Sequence, residues 1–248
     1  MRVSTLCILM TLAHPPVWLN ALADIYLLIS FISAAIVLFD VIFRQRQKMA
    51  VMNVVWPITA LYWGPVTLWG YYKLKPKQDK KGNGRSGGKE QPDNGAGENP
   101  SRPQVLLAVS HCGAGCTLGD ILSELMVFAA GIEIARSAFA ARLTLDFALA
   151  FSIGIVFQYF SIVPMRHLSF GQGLRAALKA DTLSLTCFEI GLFGWMALTQ
   201  YVFFPQSHLE ASQAMFWFMM QVGMIIGFFT SYPANVWLLK KGWKGKMG

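Results

Sequence analysis

The chain has 248 residues, 54% of them hydrophobic and only 14% charged, with a net charge of +8 and a mean hydropathy of +0.45. A soluble domain of this size carries about a quarter charged residues; here apolar runs of membrane-spanning length alternate with short charged stretches, the pattern of helices in a bilayer. No ten-residue alternating segments of the β-barrel kind occur, and no recognition helix, zinc-finger spacing or stacking platform, so an outer-membrane barrel and a nucleic-acid partner are both set aside.

At the start, Arg2, the apolar run Val3 to Ala13 and Ala21-Leu22-Ala23 imitate a secretory signal. The next apolar stretch begins at Ile25, which favours a retained segment feeding into the first span. Six spans are expected: Trp18–Phe43, Val51–Tyr72, Thr117–Ser137, Leu143–Val163, Leu178–Phe204 and Ala214–Leu239. Each has the ~20 residues that a ~30 Å hydrocarbon core requires. The third can also start near Gln104. The second carries Asn53, Trp56, Pro57, Thr59, Tyr62, Trp63, Gly64 and Pro65, and its two prolines and glycine imply a kinked or broken helix. Lys73–Pro103 is rich in Lys, Gly, Asn and Pro and reads as a disordered basic linker. The expected class is therefore all-α, a polytopic helical membrane protein, divided into residues 1–72 (two helices), 73–103 (linker) and 104–248 (four helices).

Basic residues cluster at Arg44, Arg46 and Lys48, at Lys73–Lys81 and at Lys240–Lys246, where orientation signals and headgroup contacts belong. Six crossings with both ends inside put most Lys and Arg, and the C-terminus, in the cytoplasm. The exception is Arg44-Gln45-Arg46-Gln47-Lys48, stranded outside. A re-entrant second segment, or a further crossing near Val105–Val109, removes that conflict.

Carboxylates do not belong in a hydrocarbon core; each costs about 2.5–3.5 kcal/mol at a helix centre on insertion scales, so such residues pair, bind ions or carry protons. Asp24, Asp40, Glu133, Asp146 and Asp181 lie nearer span ends, where headgroup contact is the plainer account. Asp120, Glu124 and Glu189 lie deeper and point to function. The densest signal is Ser110-His111-Cys112-Gly113-Ala114-Gly115-Cys116-Thr117-Leu118-Gly119-Asp120, followed by Glu124. In a helix, Cys112, Cys116, Asp120 and Glu124 step by four residues and line one stripe. The glycines disfavour a helix interior, so the block also reads as a loop capped into a helix near Thr117. Either geometry gathers ligands. Two thiols and the imidazole of His111 suit a copper- or zinc-type ion, with Asp120 completing the set. Thiol redox chemistry at Cys112/Cys116 and a purely packed cysteine pair stay open beside it.

Other spans offer an ion relay or second shell. Glu124, Asp181, Cys187 and Glu189 are the candidates, although Cys187 and Glu189, two apart, cannot share a helical face. Met215, Met219, Met220 and Met224 suit Cu(I) but serve equally as gap-fillers. His14, His208 and Met165-Arg166-His167 read as interfacial, as do Tyr232 and Trp237 in the last span.

Three blocks, Met52-Asn53-x-x-Trp56-Pro57-x-Thr59-Ala60-Leu61-Tyr62, His111 to Asp120, and Tyr232-Pro233-Ala234-Asn235, together resemble the bacterial membrane family called domain of unknown function 4396. The resemblance implies a bacterial inner-membrane location and brings no settled activity. From the side chains, the leading expectation is a metal-ion binding or transport protein whose partners are the bilayer and the ion. A thiol-redox membrane protein, or a non-catalytic subunit of an oligomer or membrane assembly, is the alternative. No nucleotide loop, serine elbow or zinc-protease helix is present, so an enzyme of soluble type is not expected.

Overall fold

A computed structural model describes residues 15–44, 51–74, 99–132, 138–166, 168–207 and 209–245. The apolar run Val3 to Ala13, His14, Arg46, Lys48, most of the 73–103 linker, Glu133, His167 and His208 lie outside the described residues. Among the described residues there are seven α-helices and no strand: α1 (Val17–Phe43), α2 (Met52–Trp63), α3 (Pro65–Leu74), α4 (Arg102–Ala130), α5 (Ala138–Arg166), α6 (Phe170–Leu198) and α7 (Ala214–Lys240). A π-helical turn at Thr199–Phe203 prolongs α6. Five of these helices, α1 and α4 to α7, are long and apolar enough to cross a bilayer. The protein is a multi-pass helical membrane protein.

The second of the six anticipated spans is not one helix. Gly64, with φ of 53°, and Pro65 divide it into α2, 12 residues long, and α3, 10 residues long. At 1.5 Å per residue these reach about 18 and 15 Å, short of the ~30 Å core. They fold back on each other: the Thr67 hydroxyl donates to the Thr59 carbonyl at 3.2 Å, and the Trp56 and Tyr71 rings meet at 5.4 Å. Both outer ends of this hairpin lie beside the end of α1, where the Tyr71 hydroxyl donates to Asp40 Oδ2 at 2.7 Å. The tip lies deeper, beside Ser30 and Tyr26 of α1, whose hydroxyl donates to the Tyr62 carbonyl. The segment returns to the end of the bundle it left, which is the re-entrant one of the two paths that remove the Arg44–Lys48 conflict. Among the described cations, Arg44, Lys73, Arg102, Arg166, Arg175, Lys179, Lys240, Lys241 and Lys244 then belong to one end of the bundle, and Arg142 to the other.

Helices α4 and α6 start earlier than hydropathy suggested. Arg102, Arg175 and Lys179 depress the apolar average, but the helices begin at local caps. The Ser101 N–H donates to Gln104 Oε1 at 2.9 Å, and the Ser169 N–H to Gln172 Oε1 at 3.4 Å. The early start of α4 puts the whole His111–Asp120 block inside a helix.

Lipid tails give helices no hydrophobic reason to associate, so close van der Waals packing must do it. The glycines supply the closeness. A Cβ on Gly115 would lie 2.9 Å from the Gly154 Cα, one on Gly119 would overlap the Ala150 backbone, and one on Gly191 would lie 2.9 Å from the Gly227 Cα. These contacts bind α4 to α5 and α6 to α7 as antiparallel pairs. The residues that read as helix breakers in the sequence are the points where backbones meet.

Candidate functional site

On α4, Cys112, Cys116 and Asp120 are fully buried and Glu124 nearly so, as the four-residue spacing anticipated. Three elements close over this stripe. From α2, the Tyr62 hydroxyl lies over Gly113, 2.9 Å from where a Cβ would be. From α6, Phe188 covers the same glycine, and Glu189, 1% exposed, faces the Cys116 thiol without conventional hydrogen-bond geometry. From α5, Asp146, 4% exposed, comes within electrostatic range of Asp120 and Glu124. The two thiols contact each other one turn apart, and Cys112, Cys116 and Cys187 are free.

The carboxylates are poorly served by the protein. Both oxygens of Asp120 and both of Glu189 close no hydrogen bond. Glu124 is paired, its Oε2 3.2 Å from Arg142 Nε, and a cavity of about 10 Å³ beside this pair and Asp146 has room for about one water molecule. Asp120, Glu189, Asp146 and Glu124 thus form an acidic row leading from the cysteines toward the Arg142 end. Cys187 on α6 is half-buried and within electrostatic range of Cys112, while Glu189 is buried against Cys116, so the carboxylate is the more enclosed of the two.

His111 does not join the cysteines. It is also fully buried, but on the neighbouring flank of α4, where Nε2 lies 3.4 Å from Ser161 Oγ and the ring packs on Phe157 of α5. Consecutive helical residues diverge by about 100°, which carries His111 away from the Cys112 stripe. Asp181 sits apart from the acidic row, paired with Lys244, whose Nζ is 3.3 Å from Oδ1, both side chains being wholly inaccessible. The four methionines of α7 are buried among core side chains, and Met224 Sδ accepts the Thr117 hydroxyl at 3.5 Å. Among the described residues, no three or more His, Cys, Asp or Glu side chains converge to hold a metal ion as they stand.

Sequence reasoning missed two contributors. Lys244 was counted among the cytoplasmic charges and is 1% exposed. Asn235 was read within an interfacial segment and is fully buried, donating to Ser184 Oγ at 2.6 Å. An amide inside the last apolar span, a little over one turn before its end, was the available signal for Asn235. Nothing in the local sequence marked Lys244.

Residues 103–244 match the family described as Domain of unknown function (DUF4396). The chain belongs to that family. No curated protein and no solved structure matches it. The DUF4396 unit spans α4 to α7 and so contains the cysteine pair, the acidic row and the Asp181–Lys244 pair. The re-entrant α2–α3 hairpin that covers the cysteines lies outside the matched stretch.

Proposed function

We propose that this DUF4396 protein binds a copper- or zinc-type metal ion in the membrane interior and passes it along the acidic row. Cys112 and Cys116 are the soft ligands, Asp120 and Glu189 complete the site, and Asp146 and Glu124 continue the relay. The supporting observation is the four carboxylate oxygens of Asp120 and Glu189, buried beside two thiols and without hydrogen bonds. Such groups are retained in a membrane where a cation or proton meets them. The hairpin tip adds a familiar element, since broken helices at membrane depth are tolerated where they are buried in protein or line a cavity. His111 flanks the site and does not supply its first ligand. The cluster of Lys and Arg at the α7 end supports a bacterial inner-membrane protein with that end in the cytoplasm.

Thiolates must shed protons to bind, so affinity falls as pH falls. The test is elemental analysis of detergent-purified protein. About one copper or zinc ion per chain is expected in the wild type and about a tenth of that in Cys112→Ser/Cys116→Ser. Equal metal content in the two proteins would overturn the proposal. Mutual contact of the two thiols favours a second reading, a reversible dithiol–disulfide pair. A disulfide that forms and opens at cellular potentials, with no metal bound, would put that reading first.

A further inference from the structure

The stretch after α7 does not leave the bundle. Gly242, at φ of 66°, turns the chain back, and the N–H groups of Trp243 and Lys244 both donate to the Leu238 carbonyl. The turn is held from three helices. Arg166 of α5 donates to the Gly242 carbonyl, the Lys179 ammonium of α6 lies 3.9 Å over the Trp243 ring, and Trp237 of α7 packs edge-on against it. Lys244 is thereby driven inward. Its Nζ donates to Asn235 Oδ1 at 2.8 Å and to Asp181 Oδ1 at 3.3 Å.

The receiving groups are pre-set for a cation. The Asn235 amide donates to Ser184 Oγ and to the Ser231 carbonyl, which fixes its oxygen toward the ammonium. Asp181 Oδ2 has no hydrogen-bond partner and lies 3.0 Å from a Cβ built on Gly154, at the seam where Gly154 meets Gly115, next to Cys116. The ammonium is also within electrostatic range of His111. We infer that Asp181 and Asn235 form a second cation-binding site, suited to an ammonium-type monovalent ion, which the chain's own Lys244 fills, so that it closes the end of the polar interior opposite Arg142. Its physiological meaning rests on the reading of that interior as a cation path. Its test uses no metal, so the two stand or fall separately.

The readout is alkylation of Cys112 and Cys116 by a water-soluble maleimide, in full-length protein with Cys7 and Cys187 replaced by Ala. Lys244→Ala is expected to raise the rate at least about tenfold, because thiol reactivity depends on access. Ethylammonium, which supplies the missing N–H donors, should slow Lys244→Ala back toward the parent rate, and tetramethylammonium should not. Asp181→Asn/Lys244→Ala should react fast with or without ethylammonium. An unchanged rate in Lys244→Ala, or no ethylammonium effect there, overturns the inference. If Lys244→Ala cannot be extracted folded because Asp181 is left alone, the double variant carries the access measurement. Recovery of folded Lys244→Ala when ethylammonium is present throughout extraction then supports the site, and failure to recover it overturns the site.

Discussion

Asp120 and Arg142 occupy opposite situations, and substitutions at the two should move stability in opposite directions. Asp120 is fully buried with both oxygens unbonded. Replacing it by Asn keeps the shape and removes the liability of a charge in an apolar interior. Asp120→Asn should therefore unfold at higher denaturant, by about 1 kcal/mol, while losing bound metal, the mark of a group retained for function at the expense of stability. Arg142 neutralises Glu124 at 3.2 Å. Arg142→Met strands that carboxylate and should destabilise by about 3 kcal/mol, and adding Glu124→Gln should recover most of the loss. A double-variant effect equal to the sum of the two single effects in a denaturation cycle would show that the pair is not coupled. The glycines make a third case. Gly119→Ala drives a methyl into the Ala150 backbone and should cost about 1–3 kcal/mol, whereas Gly194→Ala, with nothing within 4 Å, should be neutral or slightly stabilising.

At the scale of the element, the α2–α3 hairpin is the least ordinary part of the molecule. Gly64 holds a left-handed φ that a side chain adopts only with strain, and a Cβ there would also crowd Ser30 Oγ at 3.0 Å. Gly64→Ala should cost about 1 kcal/mol, read as a lower denaturation midpoint. Cysteines placed at Val51 and Lys73 should label with an impermeant reagent from the same side of sealed vesicles, and one at Gly64 from neither. Labelling of positions 51 and 73 from opposite sides would restore a crossing helix. The break itself was legible, since two prolines and a glycine imply a kinked or broken span, and the chain breaks at Gly64-Pro65. The stranded Arg44–Lys48 charges pointed either to a re-entrant path or to a further crossing near Val105–Val109. The Cys112, Cys116, Asp120, Glu124 stripe was legible too, because helical spacing alone aligns it. The caps at Ser101 and Ser169 were overlooked because a hydropathy window weighs polarity and not backbone donors. Lys244 was beyond any segment-wise charge count, since its burial depends on a single turn at Gly242 that reverses the chain.

For the molecule as a whole, the hairpin changes the parity of the path. With α2 and α3 returning to the end of the bundle they left, five helices are long and apolar enough to cross. Five crossings would put Val17 and Lys240 on opposite faces of the membrane, in place of the six with both ends inside that were expected. A reporter active only in the cytoplasm, fused after residue 248, should be active if the basic end faces inward. The same reporter fused ahead of α1 should be silent, and activity at both ends would refute the five-crossing path. The front piece and the rear piece also share one interior: Ala23 and Tyr62 pack in the same cluster as Cys112, Phe188 and Met220. Cutting the chain within residues 80–98 and co-expressing the halves should therefore give two fragments that co-purify. Recovery of the fragments singly would mean that the linker, and not this packing, holds them together.

The glycine seams also decide what can move. Where backbones touch through Gly115, Gly154 and Gly119 on one side, and Gly191 and Gly227 on the other, there is no side chain to re-pack, so each antiparallel pair behaves as a stiff lever. Between the levers run the polar contacts, Glu189 against Cys116, Asp181 against Gly154, and Arg166 of α5 donating to the Gly242 carbonyl of the turn after α7. Polar contacts of this kind can be exchanged for water or an ion at little cost, whereas interlocked backbone cannot. Rocking of α6–α7 against α4–α5 would thus open the molecule along the line where its ionisable groups lie, with the hairpin tip at Tyr62 as the fixed stop on the other side.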